Sequence, residues 1–301
     1  MAITVVCRTD VSLTLEEYCN EVQHHVDFDD LDSIAASAPW IMALANNRGL
    51  VTQHLNGLVR EELGTPGIFT GLSAQVLPLA NRSGFSVRAM LWPSTADIAS
   101  GRLFASNAYH LAHDHNFHFL TVPVFGPGYV TEIYEYDQAS IVGTVGETVD
   151  LKFLERVDFG GAMAMLYRAG RDVHVQLPPK EFSITLNLVI HPRGPQSHSD
   201  QYFFDLETRR ITGLPCEQAS ARRVSAVDMA GLLGDDNTRQ LLADLSTDHL
   251  NQQTRLHAYS ALLKLDSGRR AEHLERGIRD ANAGIRRWAR QQLERMGSAP
   301  H

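Results

Sequence analysis

Apolar positions change their period twice along the chain, and the two changes mark out three regions. Up to Leu63 the spacing is helical. Leu15, Tyr18, Cys19 and Val22 recur three and four residues apart behind Ser12 and Glu16-Glu17, a polar and acidic helix start. A second helix is expected to begin at Asp32 or Ser33 and to end before Pro39. A longer run from Trp40 to Leu63 carries Ile41, Leu44, Leu50, Val51, Leu55, Leu58 and Val59, with a break at Gly49. Gly64-Thr65-Pro66-Gly67 closes this region.

From Ser73 the apolar positions alternate. Strands are expected from Ala74 to Leu79 and from Phe85 to Trp92, where Pro93 stops the run, and Thr95 to Leu103 reads as a turn or short helix. Leu120–Phe125 and Tyr129–Tyr136 flank Gly126-Pro127-Gly128 and read as a hairpin. Further strands are expected at 141–145, 149–157, 162–168, 173–177, 182–190 and 201–206, with 209–212 leading out. Short strands at close spacing with turn residues between them imply a sandwich or barrel rather than a parallel α/β sheet.

Beyond Pro215 the helical period returns. Thr254–Leu262 matches Ile285–Leu293 at an offset of 31 residues, aligning Arg255 with Arg286, Ala258 with Ala289 and Leu262 with Leu293. Each copy follows an acidic, leucine-containing helix, at 241–249 and 271–279. Two copies are few for an array that buries its apolar faces only by stacking, so the segment is expected to dock on another part of the chain or on another subunit. The boundaries divide the chain into 1–72, 73–214 and 215–301.

Composition acts here mainly by exclusion. Over 301 residues, 44% hydrophobic and 21% charged content is that of an ordinary globular chain. A formal net charge of −8 argues against a nucleic-acid binder and against attraction to anionic membranes. Cys7, Cys19 and Cys216 are scattered and odd in number, which points to a reducing cytoplasm. The start of the chain is short and uncharged, unlike a signal peptide, and no run of about 18 apolar residues is present.

The candidate chemistry lies in Tyr109–Phe119, where four of the 14 histidines fall within nine residues. On a strand, His113 and His115 project to one face, as a divalent transition metal requires. A third histidine, His174, stands in a comparable setting. It follows the turn Ala169-Gly170-Arg171-Asp172 in a β-alternating run closed by Pro178-Pro179. His110 and His118 have the opposite parity, which leaves a supporting or mouth role open to them while a structural role is expected, and Asp114 reads as facing outward. Arg88, alone in an apolar strand, could clamp a carboxylate through its planar fork. Glu135 or Glu132 could supply a base, and Tyr167 or Arg168 a phenol or cation near the third histidine. Ser183, Thr185 and Asn187 share one strand face and would be pocket hydrogen-bonders if that face is the inner one.

This arrangement resembles the cupin superfamily, whose first motif is His-x-His followed by a glutamate and then a glycine; Gly126 lies at the expected distance. The second motif places one more histidine after a glycine turn, as Gly170 to His174 does. The glutamate position is Phe119, so the resemblance implies the three-histidine set of the cysteine dioxygenase-like branch, with His113, His115 and His174 as metal ligands. Ser183 and Thr185 lie where that branch has a Ser-His-Tyr relay, but no histidine follows them before His191. The implied fold is α+β: a cupin-type double-stranded β-helix (jelly roll) flanked by an N-terminal helical region and a C-terminal helical segment resembling HEAT repeats. The implied cofactor is Fe(II), although imidazole suits Zn, Mn, Ni and Cu equally well. The expected partners are a small-molecule substrate and O2, with neither nucleic acid nor membrane, and with a homodimer or a protein partner left open for the helical segment. The implied activity is oxidation, with O2, of a small polar metabolite such as an amino-acid derivative, with Glu135, Arg88 and Tyr167 as candidate catalytic residues. The alternatives are a metal-dependent isomerase or lyase using a base such as Glu135, and a non-enzymatic binding cupin.

Overall fold

Alternating apolar and polar residues build two six-stranded sheets whose described strand pairs are antiparallel, and ten α-helices accompany them in the described residues, making a mixed α+β chain. The computed structural model describes residues 2–65, 75–100, 109–215 and 217–297. Pro66, Gly67, Ser73, Ala74, residues 101–103 and Cys216, which also figured in the sequence reading, lie outside them. The elements run β1 (Ile3–Val6), α1 (Leu15–His25), α2 (Leu31–Ala36), α3 (Ala38–Ala45), α4 (Leu50–Gly64), β2 (Val76–Arg82), β3 (Phe85–Trp92) and α5 (Thr95–Ala99). Next come β4 (Ala112–His113), β5 (Phe119–Phe125), β6 (Tyr129–Glu135), β7 (Lys152–Phe159), β8 (Met163–Tyr167), β9 (Asp172–Leu177), β10 (Ser183–Ile190), β11 (Phe203–Asp205) and β12 (Arg210–Gly213). The chain ends in α6 (Glu217–Leu233), α7 (Asp236–Asp248), α8 (Gln252–Leu265), α9 (Arg270–Gly277) and α10 (Ala283–Gly297).

The first sheet has the order β1-β8-β5-β10-β3-β2 and the second β12-β11-β4-β9-β6-β7. β5 and β6 therefore belong to different sheets, and the expected hairpin across Gly126-Pro127-Gly128 is instead a corner that moves the chain from one sheet to the other. Both glycines have positive φ, +77° and +86°. A Cβ on Gly128 would overlap the carbonyl oxygen of Phe159, so both backbone angle and space require glycine there.

By its own contacts the chain forms two compact units. The first comprises Met1–Leu111, Phe117–Glu135 and Phe153–Pro192. One face of its first sheet presents Phe85, Val87, Ala89, Leu120, Val122, Ala164, Leu166, Leu186 and Leu188 to the helices α1–α4, which contribute Tyr18, Val22, Ile34, Ile41 and Leu44 to the same core. The opposite face faces inward. There Trp92, Phe119, Met165, Tyr167 and Val189 pack with Tyr129, Ile133 and Phe159 of β6 and β7. The N-terminal helices thus have no core of their own. They arise from local signals close to those expected: α1 starts at a Thr14–Glu17 capping box rather than at Ser12, Asp30 rather than Asp32 or Ser33 caps α2, and Gly49 precedes α4. The strand β1, not anticipated, pairs Ile3 with Leu166 and Val6 with Met163. Four residues without a nearby partner carry too little periodicity to announce a strand.

The second unit comprises Ala112–Asn116, Tyr136–Lys152 and Arg193–His301. Here the expected strand at 141–145 is an irregular loop, because its backbone is already engaged by side chains. The Glu147 carboxylate accepts from the N–H groups of Val142, Gly143 and Thr144, and the Asn282 amide donates to the carbonyl of Ile141 at 2.7 Å. Val142 packs with Tyr259 of α8 and Ile285 of α10. The 31-residue repeat reappears as capping chemistry. Asn251 and Asn282 each accept from the N–H three residues on, at 2.8 and 3.0 Å. Arg255 and Arg286 each reach back to the two carbonyls preceding that asparagine.

Gly128→Ala should lower the stability of the protein by more than about 3 kcal/mol, adding steric overlap to left-handed strain. Gly146→Ala, at φ +88° with open space around its Cβ position, should cost only the strain, about 1–2 kcal/mol. Urea midpoints of the two variants test this; equal losses would mean that the Phe159 carbonyl yields freely.

Candidate metal centre

His113 sits on the two-residue strand β4, opposite Phe203 of β11. The chain then leaves the sheet, so His115 is not a strand residue, and the pair owes its geometry to what holds the segment. The rings of His113 and His115 stand 5.0 Å apart at right angles. Asp114, expected to face outward, is fully buried. Its carboxylate accepts from the Tyr136 hydroxyl and from the backbone N–H of Tyr202, both at 2.6 Å, and its own N–H donates to the Tyr202 carbonyl at 3.2 Å. Burial pushes the Asp114 carboxyl up to about 7 against the pull of those two hydrogen bonds. Oε1 of Gln201 lies 3.0 Å from Nδ1 of His115, and Nδ2 of Asn116 donates to the Ser199 carbonyl at 3.0 Å.

His174 lies on β9 opposite Ile133 of β6 and is buried. Two rings fix its plane: Tyr167 meets it edge-on at 4.6 Å and Phe119 at 5.7 Å, while Phe119 and Tyr167 stack on each other at 4.6 Å. Phe119, at the position where the cupin motif has glutamate, is thus a wall of the site and not a ligand. One ligand nitrogen each from His113, His115 and His174 lies within 4.8 Å of the other two. Metal–imidazole bonds of about 2.0–2.1 Å require three such nitrogens to gather around one point, as this grouping does. Three neutral nitrogen donors fit a divalent transition metal and leave open positions on it.

The inward face of the first unit also carries polar side chains. In register across the first sheet stand Arg88, Asn187 and Thr121. Thr121 donates to Oδ1 of Asn187 at 2.7 Å, Trp92 Nε1 donates to Thr185 at 3.0 Å, and Ser183 accepts from the N–H of Gly128 at 3.1 Å. The three polar residues of β10 do share the inner face, but largely in structural bonds. Arg88 is desolvated, which lowers its pKa to about 10 and still leaves it a cation at neutral pH. Its guanidinium carbon lies 5.5 Å from the Phe117 ring centroid, and no carboxylate pairs with it among the described residues. Neither Arg88 Nε nor Gln176 Oε1 has a hydrogen-bond partner among those residues. Gln176 is two positions beyond His174 on β9 and so shares its face.

The remaining candidates are occupied elsewhere. Glu135 accepts from Arg168 at 3.3 Å and from Arg171 at 3.2 Å; desolvation raises its carboxyl, but the hydrogen bonds and positive charges around it together more than offset this and hold it below the usual range, a poor proton acceptor. Glu132 pairs with Arg156 at 2.7 Å. Arg168 is held by the buried Asp172. Tyr167 is fully buried, and its hydroxyl donates to Thr131 at 3.3 Å; burial raises its pKa and keeps the phenol protonated, a hydrogen-bond donor rather than an acid or base. His110 is exposed with φ +60°. His118 accepts from the N–H of Ala169 at 2.9 Å through Nδ1, and so holds the turn that leads to β9. Sequence reasoning did not find Gln176 or Gln201. Alternation from His174 could have pointed to Gln176; nothing near Gln201 announces it.

No family model matches the chain, and no curated protein matches it either. Among solved structures, it is similar to a hydroquinone 1,2-dioxygenase in complex with Cd2+ and 4-hydroxybenzonitrile, at 12% identity over 42% of this chain and 69% of that one, TM-score 0.27. It is also similar to the hydroquinone 1,2-dioxygenase of Sphingomonas sp. TTNP3, at 6% identity over 41% and 70%, TM-score 0.26. The DMSP lyase of Ruegeria pomeroyi DSS-3 matches at 12% identity over 41% and 58%, TM-score 0.23. At TM-scores this low, the functional reading rests on the residues of this chain.

Burial holds the His118 pKa below the ordinary histidine value. The unfolded chain therefore binds the proton more readily, so His118 stabilises the fold above the unfolded pKa of about 6.5 and loses that contribution as pH falls through the lower folded value. His118→Leu, which strands the Ala169 N–H, should cost about 1–2 kcal/mol at pH 8 and progressively less on acidification below about pH 6. Denaturation of parent and variant across that range checks it; a pH-independent difference would contradict the role.

Proposed function

We propose that this chain is a cupin-type metalloenzyme in which His113, His115 and His174 hold Fe(II), and that it oxidises a small polar, anionic metabolite with O2. The observation that carries the reading is the convergence of three histidine nitrogens from β4, its following loop and β9. Fe(II) would supply the redox chemistry and the open coordination positions that O2 and a substrate donor need.

The chain's own residues would bind, orient and exclude water. Phe119 and Tyr167 wall His174 with aromatic carbon and hold its ring in place. With no glutamate at the Phe119 position, three neutral ligands leave the dication's charge uncompensated, which favours an anionic donor from the substrate. Arg88 would hold a second anionic group, a carboxylate matched to its fork. Gln176 would accept from an amine, amide or hydroxyl on the same molecule. Together these describe an amino-acid-like substrate. Tyr167 would act as a buried donor. Glu135, tied to two arginines, is better suited to holding Arg168 and Arg171 than to moving a proton, which weighs against an isomerase or lyase that depends on it. In this reading residues 1–72, 73–214 and 215–301 are a helical region, the cupin body and a HEAT-like segment, working in the cytoplasm.

Alanine at His113, His115 or His174 should reduce metal content beyond the roughly 10–100-fold that changes around a ligand produce. Full metal occupancy in His174→Ala would overturn the ligand assignment. Ferrous protein screened on an O2 electrode against small carboxylic and amino acids should consume O2 with a subset of them. Arg88→Leu should lose most of that response, and the Zn(II) protein all of it. Equal turnover with Zn(II) would replace oxidation by Lewis-acid chemistry.

A further inference from the structure

Gln201 stands in a stretch of chain pinned on both sides. Before it, the Ser199 carbonyl accepts from Asn116, and Asp200 is held by Arg223 of α6 at 3.0 Å and by Asn251 at 2.9 Å. The Asn251 amide also donates to the His198 carbonyl at 2.8 Å, while its Oδ1 caps α8 by accepting from Thr254. After it, the Tyr202 N–H donates to the Asp114 carboxylate and the Tyr202 carbonyl accepts from the Asp114 N–H. Phe203 and Phe204 then pair with His113 and Ala112. Residues 112–116 and 199–204 are thus zipped together, with Gln201 opposite His115.

An amide oxygen only accepts. Oε1 of Gln201 at 3.0 Å therefore favours the His115 tautomer with its proton on Nδ1, which would leave the Nε2 lone pair for a metal. Outer partners of this kind orient ligand histidines and raise their basicity. We propose that Gln201 is a positioning residue that sets the tautomer and direction of His115, and that the helical segment is a working part of the metal centre because Arg223 and Asn251 hold Gln201 in place through Asp200. This rests on the three-histidine reading above. The segment after Pro215 then does more than cover apolar surface: displacement of α6 or of the start of α8 would be felt at His115 as a loosened ligand.

The test uses the full-length protein with Co(II) as probe. Affinity is measured by competition with a chelator, ligand geometry by the visible spectrum of the Co(II) protein, and the His115 tautomer by ¹⁵N NMR of the metal-free protein. The parent should show His115 protonated at Nδ1. Gln201→Leu should bind Co(II) about 10–100-fold more weakly, with a changed spectrum and a mixed His115 tautomer, while its urea midpoint stays near that of the parent. Gln201→Glu, which restores an acceptor, should recover the affinity and the Nδ1 tautomer. Arg223→Leu should weaken binding in the same direction by about threefold to tenfold. Gln201→Leu with Co(II) affinity within about twofold of the parent, or with an unchanged His115 tautomer, overturns the inference alone. A parent that binds no Co(II) overturns the three-histidine reading and the inference with it.

Discussion

A fully buried carboxylate, Asp114, fixes the one place where the chain must be held most firmly. It lies between two candidate ligands in a segment with almost no strand of its own. Taking a carboxylate out of water costs several kcal/mol unless hydrogen bonds replace the solvent. The Tyr136 hydroxyl and the Tyr202 N–H do so, both at 2.6 Å. A slip of one residue would break both bonds and turn His113 and His115 away from their present positions, so this polar pair sets register where a short strand cannot.

The inward face of the first unit shows a second constraint. Buried polar groups are normally satisfied, and most here are: Thr121 with Asn187, Thr185 with Trp92, Ser183 with Gly128. Arg88 and Gln176 stand apart, one a donor and one an acceptor, each with a polar atom lacking a partner among the described residues. A fold selected for stability alone would fill such positions with apolar side chains. Groups kept desolvated and incompletely bonded in the interior of the first unit have a physical purpose if a bound molecule completes their bonds.

In the second unit the helices supply polar side chains as well as packing. Asn251 and Asn282 cap their helices with one atom and grip neighbouring loops with the other, and each repeat carries an arginine that closes the preceding turn. The loop at 141–145, apolar enough to be read as a strand, is shaped instead by Glu147 and Asn282. Side-chain competition for backbone groups decides between the two forms, and a window of neighbouring residues does not contain it.

Local signals carried much of the architecture. Alternation located β2, β3, β8, β9 and β10, the 3–4 spacing located α1 to α4, and the 31-residue offset of Arg255 and Arg286 foretold a repeat whose capping bonds match. The three histidines were legible as candidates from the His-x-His spacing and the β-alternating run around His174, but His115 lies beyond the end of β4, so its place beside His113 owes nothing to strand alternation. Arg88 was legible as a lone cation in an apolar strand. Other features were beyond a sequence window, because they depend on partners distant along the chain. That β5 and β6 diverge at Gly126-Pro127-Gly128 follows from which strands each finds to pair with. Asp114 is buried because Tyr136 and Tyr202 arrive there, and Glu135 is an ion-pair partner because Arg168 and Arg171 converge on it. Gln201 faces His115 across 86 residues of chain. Periodicity is a property of neighbours and determines which face a residue presents; only the tertiary structure decides what meets it there.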